Sequence, residues 1–117
     1  MSESDYLNKT IDDANHNILY LDNILQNDQL QSGIYIKKQI EYFNSVIFYH
    51  SLLQKSENID GNFITLVLKT LLKLKTILLE IISFDEKPIT KNTKEMFLES
   101  LNVYETQYNM LLLTALK

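Results

Sequence analysis

Leu7, Ile11, Ala14, Ile18, Leu21 and Leu25 recur at intervals alternating between four and three residues. That rhythm keeps all six on one stripe of an α-helix. The polar stretch "QNDQLQSG" ends it, and from Gly33 a second helical pattern begins. Here Ile36, Ile40, Phe43, Val46, Ile47, His50 and Leu53 share a broad face. Ser2 with Asp5, or Ser4, is positioned to cap the first helix, because a short polar side chain there accepts a backbone N–H that has no partner within the helix.

The third segment, Phe63 to Ser83, has a different pattern. Its polar residues Thr65, Lys69, Lys73, Thr76, Glu80 and Ser83 form a narrow stripe, and nearly everything else is apolar. An apolar arc of well over half the circumference exceeds what one neighbouring helix covers, so this helix is expected to touch partners on at least two sides. Lys75 falls inside that arc and must carry its ammonium out of it. Asp60 or Asn62 is the expected N-cap.

Pro88 cannot continue a helix, so "FDEKPITKNTKE" turns the chain, and Asn92 with Glu95 resembles a capping box for a fourth helix. Phe97, Leu101, Tyr104, Tyr108, Leu111 and Ala115 then repeat the alternating rhythm of the first segment. Four helices are predicted, roughly 4–27, 33–56, 62–84 and 92–116. Their matched lengths and short connections favour antiparallel neighbours. The expected fold is an all-α, single-domain antiparallel four-helix bundle over residues 1–117.

Composition narrows the chemistry. The chain of 117 residues has no cysteine, which removes disulfides, thiolate metal sites and thiol nucleophiles. All eleven basic residues are lysine. Arginine makes the bidentate contacts that dominate nucleic-acid interfaces, and with a net charge of -4 its absence argues against a nucleic-acid partner. A bias toward the residues of AT-rich codons is a second source of the missing arginine. Residues 1–60 hold four lysines against nine acids, while residues 61–117 hold seven against six, so the acidic surface is expected near the N-terminus.

The first residues lack the basic and then apolar pattern of a signal peptide. The apolar third segment is interrupted by Lys69, Lys73, Lys75 and Glu80, each costing roughly 2.5 to 3.5 kcal/mol near a bilayer centre. No membrane partner and a cytoplasmic location are therefore expected.

Catalytic motifs fail one by one. Neither histidine has the Glu-x-x-His spacing of di-metal bundles, since Ile47 precedes His50 by three residues and Asp13 precedes His16. Gly33 and Gly61 lie too far apart for a phosphate-binding loop. Ser51 follows His50 in sequence but points elsewhere on the helix, so no nucleophile and base pair up. No catalytic residue, metal or cofactor is expected.

Two features remain. Tyr35, Tyr42 and Tyr49 recur every seven residues along one border of the second helix's apolar face. Such tyrosines either lay their rings on the core with hydroxyls in water, or form an aromatic strip for a partner. On the side expected to meet solvent, Ile34, Phe48 and Leu52 align with Glu41 and Ser45 into a candidate patch.

The expected function is stoichiometric protein binding without enzyme activity, as in an inhibitor, immunity protein, antitoxin or phage-type blocker. Tyr35, Tyr42, Phe48, Tyr49 and Leu52 are the expected contact residues, and the partner is another protein, a second copy in a homodimer, or both. The alternative is a bundle that sequesters a small planar or apolar ligand between helices, with His50, Tyr104 and Tyr108 lining the gap.

Overall fold

The computed structural model describes residues 2–27, 33–55, 60–84 and 91–115, without the side chains of Asn27, Lys91 and Asn92. It is an all-α chain of four helices in sequence order: α1 (Glu3–Asn27), α2 (Gly33–Gln54), α3 (Gly61–Ser83) and α4 (Lys91–Ala115). No strand is present among the described residues. The helix boundaries lie within about two residues of those the apolar periodicity predicts, because the breaking stretches lie between the helices. Residues 28–32, 56–59 and 85–90, Pro88 among them, and the side chain of Asn92 with its proposed capping box lie outside the described residues.

The chain divides into two compact units, residues 1–57 and 58–117. In the first, α1 packs against α2; in the second, α3 packs against α4. The α1/α2 pair is antiparallel. Gln54 Nε2–H, at the end of α2, donates to Asn8 Oδ1 near the start of α1 at 2.6 Å. At the opposite end, a Cβ built on Gly33 would sit 3.6 Å from Leu25 Cδ1.

The predicted caps form at two helix starts. The amide of Asp5 donates to Ser2 Oγ at 3.2 Å. The amide of Phe63 donates to Asp60 Oδ1 at 2.8 Å, with Asp60 itself extended at the N-cap of α3. Both glycines stand at the first residue of a helix, and neither has a positive φ. They mark helix starts without any backbone conformation that requires glycine.

Burial follows the predicted stripe closely in α1. Leu7, Ala14 and Leu21 are enclosed, with Ile11, Ile18 and Leu25 half-buried between them. In α3 the enclosed residues are Val67, Thr70, Leu71, Leu74, Ile77, Leu78 and Ile81. Leu71, Leu74, Leu78 and Ile81 are the most completely enclosed large side chains described. Thr70 is tolerated there because its hydroxyl donates to the carbonyl of Leu66 at 2.8 Å. Among the described residues no buried side-chain nitrogen or oxygen lacks a partner.

Candidate interaction surfaces

The buried arc of α2 is centred on the tyrosines. Tyr35, Tyr42 and Tyr49 retain 4, 6 and 5% of their accessible surface, and Ile36, Ser45, Val46 and His50 are buried beside them. The aliphatic pattern alone centres the face on Phe43 and His50; the observed face is turned from it by roughly 70°, at 3.6 residues per turn. Ile40, Phe43 and Ile47 become half-buried as a result. The tyrosines lie inside rather than at the border because each ring brings more apolar area to a core than its hydroxyl takes away. The ladder is therefore interior, and three of the five expected contact residues have little surface to offer a partner.

Its chemistry is that of an enclosed aromatic layer. The Tyr42 ring lies 4.9 Å from that of Phe43, tilted by 59°. The Tyr49 ring meets the imidazole of His50 edge-on at 5.2 Å. Burial pushes the Tyr49 phenol up to about 12. Burial also lowers the pKa of His50, against the opposing effect of its hydrogen bond to Val46. His50 Nδ1 lies 2.8 Å from the Val46 carbonyl, which fixes the proton on Nδ1 so that the ring donates. Burial thus favours the neutral imidazole, which is tied to its own helix. His16 makes the same i-4 bond, to Asp12 O at 2.8 Å, from an exposed position.

The predicted ridge on the far side of α2 is partly present. Ile34 and Phe48 are 67 and 50% exposed. Leu52 is half-buried, Glu41 is half-buried and ion-paired with Lys38 at 3.5 Å, and Ser45 lies inside.

The residues expected to line a ligand gap divide between the two units. His50 belongs to the first; Tyr104, buried, and Tyr108, half-buried, belong to the second. The face of Tyr108 is occupied by Lys75, whose ammonium stands 4.7 Å from the ring centroid. This cation–π contact is how α3 accommodates a lysine inside its apolar arc. A cavity of about 420 Å³ at one end of the α1/α2 pair is lined by Glu3, Ser4, Leu7, Asn8, Leu53 and Gln54, none of them from the expected ligand set.

The wide apolar arc expected of the third helix leaves part of its surface open, and α4 carries a further open line outside the seam predicted for it. Leu72 and Leu79 of α3 are exposed beside its polar stripe, with Leu66 exposed on the stripe's other edge. On α4, Phe97, Leu101 and Tyr104 are buried as predicted, but Met96, Val103 and Met110 are 66, 48 and 64% exposed. Their seven-residue spacing was available as a signal. The stronger seam one position away masked it.

No group of three or more His, Cys, Asp or Glu side chains that could hold a metal occurs among the described residues. None of the helices is long and apolar enough to cross a membrane, again among the described residues. No protein-family model, curated protein or solved structure matches the chain.

Proposed function

We propose that this chain is a non-enzymatic interaction protein that binds another protein stoichiometrically through the outer ridge of α2. The observation that carries the reading is the pairing of Ile34 and Phe48, fourteen residues apart on the same side of the helix, each with at least half its surface open. An exposed phenylalanine with an aligned isoleucine suits an apolar pocket on a partner, where one or two aromatic anchors supply most of the affinity. Leu52 extends the ridge at its half-buried end. Inhibitors, immunity proteins, antitoxins and phage-encoded blockers all act in this stoichiometric way, and a cysteine-free chain suits a reducing, cytoplasmic setting.

The test is native mass spectrometry of the protein isolated from its own host, with Ile34→Ser/Phe48→Ser as the comparison. The expected result is a second polypeptide at fixed stoichiometry that the double variant loses while keeping its melting temperature. Retention of that polypeptide by the variant, or a bound small molecule in its place, overturns the reading.

A further inference from the structure

We propose that α4 carries a homodimer seam, in which Met96, Val103 and Met110 of two copies pack together with the helices antiparallel about Val103. This seam lies on a different helix from the Ile34–Phe48 ridge, and it stands whether or not that ridge binds a partner.

The first support is placement. The three side chains occupy successive seven-residue positions and are all exposed, roughly 130° around α4 from its buried seam at 3.6 residues per turn. Leu113, also exposed, flanks the line toward the C-terminal end. A line repeating every seven residues is the pattern a second helix reads, each side chain entering a gap between side chains of its mate. Ser100, Gln107, Glu99 and Thr106 border those gaps on α4.

The second support is symmetry. The order Met–Val–Met reads the same in both directions. A two-fold axis through Val103 pairs Met96 of each copy with Met110 of the other, and Val103 with its own mate. Closed two-fold pairs are the commonest assembly of identical chains.

Charge selects the orientation. Glu95 and Glu99 lie beside the line in the N-terminal half of α4, whereas Thr106, Asn109 and Leu113 hold the corresponding flank of the C-terminal half. A parallel pair puts all four carboxylates at the same end of the seam. The antiparallel pair sets each copy's two carboxylates at opposite ends of the seam, beside Thr106 and Asn109 of its mate.

Area sets the strength. With Leu113, the line exposes on the order of 400 Å² per copy, the size of the largest apolar patch on a typical monomer. Doubled, and widened by Glu99, Thr106 and Gln107, the contact reaches roughly 1,000 Å², the lower end of specific interfaces. The dimer is accordingly a concentration-dependent one.

Sedimentation across low-micromolar to near-millimolar protein tests this. The mass is expected to climb from 13.7 kDa toward twice that value with concentration. Val103→Glu is expected to weaken association at least tenfold with an unchanged helical signal, and Phe48→Ser to leave it intact. Because the chain has no cysteine, single thiols can report the geometry. With diamide as oxidant, Val103→Cys is expected to link to itself. Met96→Cys alone is not, whereas a mixture of Met96→Cys and Met110→Cys is. A single-chain mass at every concentration, a dimer that survives Val103→Glu or is lost with Phe48→Ser, or self-linking of Met96→Cys faster than Val103→Cys overturns the proposal.

Discussion

Replacing Tyr42 by alanine separates an aromatic layer inside the protein from a strip on its surface. Tyr42 keeps 6% of its accessible surface and packs against the Phe43 ring. Truncating a buried aromatic residue to alanine removes its transfer free energy and leaves a cavity, together about 3 to 5 kcal/mol. Against a total stability of about 5 to 15 kcal/mol, that is a large fraction. At about 3 to 5 °C per kcal/mol for a chain of this size, the melting temperature falls by roughly 10 to 20 °C. Phe48→Ala is the internal control: with half its surface already in water, it costs about 1 kcal/mol and leaves no closed cavity. Urea unfolding followed by helical circular dichroism measures both, with the slope of free energy against denaturant checked for constancy. A Tyr42→Ala loss of about 1 kcal/mol or less, no larger than that of Phe48→Ala, refutes the interior assignment of the ladder.

Two further outcomes are expected. Burial lowers the folded-state pKa of His50 below 6.5, so the unfolded chain binds that proton more readily. The contribution to stability is fully present above pH 6.5 and is lost as pH falls below it toward the folded value, with a slope of at most about 1.4 kcal/mol per pH unit. Thermal melts between pH 5 and 7.5 should show this decline in the wild type and a flatter profile in His50→Gln; identical profiles count against it. Asp60→Ala removes the acceptor for the Phe63 amide, and equilibrium unfolding should register a loss of about 1 kcal/mol.

The helices were legible in the sequence because α1 and α4 each repeat an apolar residue every three or four positions, and polar stretches separate the segments. Cap chemistry was legible for the same local reason, as Ser2 and Asp60 show. Two aspects depended on contacts that one helix cannot specify. The rotation of α2 turned on whether tyrosine counts as core or border, and a helical wheel leaves that open. The open residues of α3 and α4 turned on which flank of a broad apolar surface a neighbour covers. Lys75 needed an aromatic face in reach, and Tyr108, on the next helix, supplies it.

The buried phenol of Tyr49 also has a practical use. The chain contains no tryptophan, so tyrosine dominates its near-ultraviolet absorption. Since Tyr49 holds its proton to about 12 against an ordinary 10.0, the stability tied to it is intact below pH 10 and drains away as pH climbs toward 12. The part of the tyrosinate absorption that Tyr49→Phe removes in an alkaline titration is thus a label-free optical reporter of the opening of the α2 interior.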